Sequence, residues 1–122
     1  MSTVQGPIGL QVVPALAVPP LVTSSSTLTL GLTYSVALYT GTTSNANWTL
    51  PSPSAANATG FVLIIKNDSA TNSLTLHSAS GSQIAMGGSD GILASIVLNY
   101  GDTLWLRSDG TYWQVDNYFV PG

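Results

Sequence analysis

The stretch "LNYGDTLWLRSDGTYWQVDN", residues 98–117, holds an alternating apolar run, a tight turn and a second alternating run with two more large aromatics. Asp109-Gly110 is a favoured pair for a two-residue type I′ turn, where both central positions need positive φ. That turn sets a register in which Ser108 faces Thr111, Arg107 faces Tyr112 and Leu106 faces Trp113. Trp105 then faces Gln114, and Leu104 faces Val115. Side chains alternate across a strand, so Leu104, Leu106, Trp113 and Val115 share the core face. The other face carries Trp105, Arg107, Tyr112 and Gln114. Arg107 over Tyr112 makes a cation–π pair of about 0.5–1 kcal/mol at an exposed site. A tryptophan turned away from the core is a candidate interface anchor. The alternative is that this second face packs beneath the N-terminal part of its own chain.

Outward from this hairpin the signals stay β from Thr27 onward. "TLTLGLTYSVALYT" alternates, with Leu28, Leu30 and Leu32 on one parity, and "NWTLP" is a short strand stopped by Pro51. "PSPSAANATG" is a loop of prolines and small polar residues. "GFVLIIKN" is apolar at consecutive positions, as in a strand covered on both faces. "SLTLHS" alternates again, "GSQIAMGGSDG" runs from a short strand into a glycine-rich turn, and "ILASIVLN" reads as a strand rather than a short helix. Seven or eight short strands between turn signals predict an all-β sandwich or barrel. We expect an antiparallel β-sandwich, jelly-roll-like, over residues 27–122.

Residues 1–26 form a different zone. Four prolines forbid a regular helix and disfavour a central strand. Val12, Val13, Leu16, Val18, Leu21 and Val22 nevertheless make it too apolar for a solvated linker. An extended arm resting on another subunit or shell fits these residues, and an edge segment of its own domain fits them as well. The apolar run is broken by Pro14, Pro19 and Pro20 and is too short for a membrane span of about 18 residues or more. No Lys or Arg precedes it, so it does not read as a signal peptide. With Met1 in place, we expect a chain made inside a cell and used without export processing.

Composition narrows the function further. The 122 residues suit one domain, or one domain with an arm, and bury roughly 65% of the unfolded surface without covalent staples. There is no cysteine, hence no disulfide and no thiolate metal site. Lys66 and Arg107 are the only cations against five aspartates, a net charge of -3 that argues against binding a phosphate backbone. Ser and Thr supply 30 residues and stand where Lys and Glu usually make the surface. Such a surface suits burial in an assembly, or an extracellular β domain.

Catalytic chemistry is not written here. His77 is the single histidine, with no nucleophile elbow or zinc motif around any residue, and reads as a surface or hydrogen-bonded structural histidine. The aspartates sit mostly beside Gly or Asn, which is turn chemistry. No spaced acidic loop assembles the oxygens a Ca²⁺ ion needs, at Asp90 or elsewhere. The glycines of "MGGS" and "GSDG" lack the lysine and following helix of a phosphate loop. Asn47, Asn57 and Asn67 fit a glycosylation acceptor pattern that a Ser/Thr-rich chain produces by chance. We expect no enzyme, no cofactor and no metal.

Residues 47–117 carry a resemblance. "WTLPSPSAANATGFVLIIKND", "NSLTLHSASGSQIAM" and the closing hairpin resemble a β-sandwich module of tailed-bacteriophage virion proteins. The matching positions are Thr49, Leu50 and Pro51; Gly60, Lys66 and Asn67; Gly81 and Ile84; and Gly101, Asp102, Ser108, Asp109, Gly110, Trp113 and Val115. The resemblance covers about 70 residues, and its last motif is also good generic hairpin chemistry. It implies a structural virion role, commonly trimeric, with no catalytic residues: capsid decoration (cement) proteins, head fibres and tail-fibre modules. A single domain with a short arm fits a decoration protein that binds the outer capsid surface as a homotrimer. Its partner is then the major capsid protein, its place the virion, and its site of synthesis the host cytoplasm. The expected interface is Val12, Val13, Leu16, Val18, Leu21, Val22, Trp105, Arg107 and Tyr112. The alternatives are a minor tail or baseplate component and a tail-fibre receptor- or carbohydrate-binding module, the last with Trp105, Tyr112 and Trp48 as an aromatic platform.

Overall fold

The computed structural model describes residues 18–121. Eleven strands follow in chain order: β1 Leu21–Thr23, β2 Thr27–Thr29, β3 Val36–Tyr39, β4 Ala46–Thr49, β5 Val62–Asn67, β6 Leu74–His77, β7 Ile84–Gly87, β8 Gly91–Leu93, β9 Ser95–Leu98, β10 Thr103–Ser108 and β11 Trp113–Phe119. A 3-10 turn, Gly88–Asp90, joins β7 to β8, and no α-helix occurs among the described residues. The chain is all-β, as its alternation predicts.

The strands form two sheets. One has seven strands in the order β1-β3-β5-β10-β11-β7-β8, and the other has four, β2-β4-β6-β9. Through β7 the chain changes sheet at every step, so each strand returns to its sheet in the direction of its predecessor. Hence β1–β3, β3–β5, β2–β4 and β4–β6 are parallel, as is β7–β11. Among the described residues antiparallel pairing is confined to β5–β10, β10–β11, β7–β8 and β6–β9. The antiparallel architecture expected from the sequence is thus corrected to mixed sheets. Parallel neighbours need a crossover, and for the first four pairs the crossover is a single strand of the opposite sheet. "ILASIVLN" shows the same habit: it breaks at Ala94 into β8 in one sheet and β9 in the other.

The inward side chains of both sheets make one hydrophobic cluster. The four-stranded sheet contributes Ala46, Trp48, Leu74, Leu76, Ile96 and Leu98, and the other contributes Ala37, Tyr39, Leu63, Ile65, Ile84, Leu104, Leu106 and Trp113. Tyr39 and Trp48 meet edge to face across it, with ring centroids 5.8 Å apart. Burying a side chain of this size contributes about 1.5–3 kcal/mol or more, provided its polar atom finds a partner. Both buried indoles do: Trp48 Nε1 donates to Ser25 O at 2.9 Å and Trp113 Nε1 to Pro51 O at 2.8 Å. Buried Asn67 donates from Nδ2 to Asn72 O and Leu98 O and accepts from Ser69 N, fastening β5 to the loop before β6 and to the end of β9. The Tyr118 hydroxyl lies 2.9 Å from Val97 O and 3.1 Å from Asp102 Oδ2. Burial, followed by the bond to Asp102, pushes its pKa above the usual phenol value.

The closing hairpin keeps its predicted faces and changes its register. Ser108 pairs with Trp113, Arg107 with Gln114 and Leu106 with Val115, around a four-residue loop Asp109–Tyr112. The Asp109 carboxylate accepts from the backbone N–H of Thr111 and Tyr112 at 2.8 and 2.7 Å, a side-chain turn that replaces the type I′ pair. Beyond Val115 a bulge at Asp116 lets Trp105 meet Asn117, Leu104 meet Tyr118 and Thr103 meet Phe119. A slip of two residues preserves parity, so Leu104, Leu106, Trp113 and Val115 remain on the inner face.

Of the N-terminal zone, Leu21–Thr23 is an edge strand paired with β3, and Val18, Pro19 and Pro20 are exposed. Val12, Val13 and Leu16 lie outside the described residues.

Candidate interaction surface

The outer face of the seven-stranded sheet is built by the parity that the core does not use. Cross-strand pairing arranges it in rows. Val22, Leu38, Lys66, Thr103 and Phe119 form one row, and Val36, Ile64, Trp105 and Asn117 form the next. A third runs Val62, Arg107, Gln114, Ala85 and Ile92. Trp105 stands at the middle of the face, 44% exposed, with Val22 and Phe119 each 56% exposed in the adjoining row. Val62 and Ile92 are exposed as well, while Val36, Leu38 and Ile64 are half-buried by their neighbours. Directly opposite side chains on a sheet lie roughly 4.5–5.5 Å apart, so these residues form one surface rather than scattered apolar atoms. Large contiguous apolar patches are uncommon on the surfaces of monomeric proteins, which makes this face the candidate interaction surface.

The charges on this face cancel locally. Lys66 and Arg107 are the only two cations of the chain, and both sit on it. Arg107 makes a two-pronged pair with Asp116, Nε to Oδ2 at 3.1 Å and Nη2 to Oδ1 at 3.2 Å. The bulge that displaces Asp116 from the ladder delivers it to Arg107. Lys66 Nζ lies 3.7 Å from Asp68 Oδ1. Each cation on this face is thus paired with a nearby aspartate.

Among the residues expected at an interface, Val22, Trp105 and Arg107 share this face, Val22 on the edge strand β1 and the other two on the central β10. Leu21 points the other way and packs against the core, and Val18 is exposed ahead of β1. Tyr112 is displaced: it lies in the four-residue loop, half-buried, and not across from Arg107. The expected cation–π pair is replaced by the Arg107–Asp116 ion pair. Trp48 is fully buried and leaves the aromatic platform of the carbohydrate-binding alternative. The surface adds Val36, Leu38, Val62, Ile64, Ile92 and Phe119, which the sequence reading did not single out. For Val36, Leu38, Val62 and Ile64 the signal was present in "SVALY" and "FVLIIKN", where both parities are apolar although only one parity faces the core.

The remaining polar candidates are dispersed. His77 Nε2 is 2.8 Å from Asn47 Oδ1 on the outer face of the four-stranded sheet. Asp90 is exposed in the 3-10 turn, and among the described residues no three His, Cys, Asp or Glu side chains gather as metal ligands. Asp109 is held below the usual carboxylate range first by the Tyr112 N–H, then by the Gln114 amide and the Thr111 N–H. These bonds shape a turn.

Compared with family models, with curated proteins and with solved structures, the chain matches none.

Proposed function

We propose that this chain is a structural protein of a tailed-bacteriophage virion, a capsid decoration (cement) protein that binds the outer capsid surface as a homotrimer. In this reading the two sheets are the layers of a jelly-roll-like β-sandwich. The observation that carries it is the apolar, charge-paired outer face of the seven-stranded sheet, centred on Trp105. That face suits contact with further copies of the chain, with Trp105 as the central anchor and the Arg107–Asp116 pair beside it. The virion setting comes from the resemblance of residues 47–117. The function is mechanical: apolar area buried between copies and against the major capsid protein resists separation of the capsid's units. Each well-buried Val, Ile or Trp contributes roughly 1.5–3 kcal/mol before ordering costs are subtracted. No catalytic step or cofactor enters this reading.

A second reading rests on the neighbours of Trp105. Asn117 lies across from it, and Arg107 and Gln114 occupy the next row. An aromatic ring beside amide and guanidinium groups also suits a saccharide, as in a tail-fibre or baseplate binding module. Light scattering coupled to size exclusion separates the two. A mass three times 12.6 kDa supports the decoration protein. A monomer that binds saccharides moves the reading to the second.

A further inference from the structure

The sequence contains two Asp-Gly pairs, Asp90-Gly91 and Asp109-Gly110. Such a pair can rearrange without an enzyme, because glycine has no side chain to keep its backbone nitrogen away from the neighbouring carboxyl carbon. The fold treats the two pairs differently.

Asp109 is held at each point the rearrangement needs. Its Oδ1 accepts from the backbone N–H of Thr111 and Tyr112, and its Oδ2 accepts from the Gln114 amide at 2.7 Å. Hydrogen bonds to a carboxylate favour the charged form, which gives up an oxygen less readily than the acid does. The attacking nitrogen is occupied too, since the Gly110 N–H donates to Ser108 Oγ at 3.1 Å. The turn is also wedged in place: a Cβ on Gly110 would lie 3.1 Å from Thr59 Oγ1.

Asp90 has the opposite setting. It is exposed at the end of the 3-10 turn, and no side chain caps that turn. Lys66 and Arg107 pair with Asp68 and Asp116 instead. A Cβ on Gly88 or Gly91 would meet nothing within 4 Å, so the backbone on either side of Asp90 has open space in which to turn. The strand that follows, β8, has three residues and ends its sheet, held there by β7. A short terminal strand after an open turn is where local opening costs least.

We propose that Asp90-Gly91 is a site of spontaneous isoaspartate formation, and that the fold protects Asp109-Gly110 from the same reaction. The Gly91 backbone nitrogen attacks Cγ of Asp90 and gives up its proton, and the carboxyl hydroxyl leaves as water. Water then opens the five-membered imide at either carbonyl. Opening at the former main-chain carbonyl routes the backbone through the side chain and lengthens it by one methylene. The added carbon falls in the link that pairs Gly87 with Gly91, just ahead of Ile92 on the outer face and Leu93 against the core. The inference does not depend on the proposed virion role.

Trypsin cuts after Lys66 and Arg107, and so places the two pairs on separate peptides, residues 67–107 and 108–122. The full folded chain is kept warm at neutral pH for weeks, digested, and labelled with a methyltransferase specific for isoaspartate. The label should enter peptide 67–107 several-fold more than peptide 108–122, in a species of altered elution and unchanged mass. In a chain held in guanidinium chloride the two peptides should label alike. Asp90→Glu, which would have to close a six-membered ring, should remove most of the label from 67–107. Equal labelling of the two peptides in the folded chain, label that survives Asp90→Glu, or no label at all would overturn the proposal. An unchanged ratio in guanidinium chloride would overturn it as well, by tracing the difference to sequence rather than to fold.

Discussion

Across the outer face of the four-stranded sheet the rows read Thr27, Asn47, Thr75, Val97 and then Thr29, Thr49, His77, Ser95. Across that of the seven-stranded sheet the central row reads Val36, Ile64, Trp105, Asn117. Both sheets alternate, and both place leucines, isoleucines and a tryptophan in the shared core. They differ only in the parity the core leaves free. Threonine satisfies both demands on a water-facing strand, a branched β-carbon for the pleat and a hydroxyl for solvent. Valine, isoleucine and tryptophan satisfy the first demand alone. One outer face thus meets solvent with mostly polar side chains, and the other presents apolar ones.

Four experiments break or sharpen this comparison. The largest effect belongs to the core that both faces share. Trp48→Ala should cost about 3–5 kcal/mol in urea unfolding, the usual range for removing a buried aromatic. A loss below about 1 kcal/mol would mean that the sheets do not depend on a common interior. Next comes Trp105→Ser beside Thr75→Ser, both followed by sedimentation equilibrium. A central anchor is worth about 2 kcal/mol or more, so in the proposed homotrimer the first should weaken self-association at least about 30-fold while the second leaves it unchanged. Equal effects would erase the distinction between the faces. A smaller change follows Arg107→Ala, which strips Asp116 of its partner. An exposed pair contributes about 0.2–1 kcal/mol, and the loss of unfolding free energy should shrink as salt is raised.

The smallest effect is a pH dependence at the hairpin turn. The folded pKa of Asp109 is depressed by its hydrogen bonds. Its stabilisation is therefore present above the unfolded value of about 3.9 and is lost as pH falls through the lower folded value. Asp109→Asn should flatten urea midpoints below about pH 4 relative to the parent chain and leave those at neutral pH nearly parallel. A midpoint profile identical to the parent's below that pH would remove Asp109 from the acid response.

The all-β character and both faces of the closing hairpin were legible because alternation is a local signal. Parity survives a slip of two residues, so Leu104, Leu106, Trp113 and Val115 were assigned inward from a register that was itself displaced. Tyr112 was lost to the same slip: Asp109-Gly110 favours a tight turn, but the Asp109 carboxylate also closes a wider one. The parallel pairing was hidden for a different reason. Nothing local in "TLTL" or "NWTL" states that Leu28 will lie beside Trp48, because each partner is separated from the other by a strand in the opposite sheet. The apolar outer face was legible in part, since "GFVLIIKN" predicted cover on both sides and the described residues supply cover on one.

The order of the seven-stranded sheet bears on how the chain is made. β10 and β11 lie between β5 and β7, and they are synthesised after both. Until the ribosome has released that hairpin, β1-β3-β5 and β7-β8 are two fragments with no hydrogen-bonded link within their sheet. A nascent chain stalled before Gly101 thus exposes two unpaired edges that the finished molecule conceals, and it is most open to aggregation at that point. Translation speed through the final hairpin should accordingly set the yield of folded protein more strongly than speed through any earlier segment.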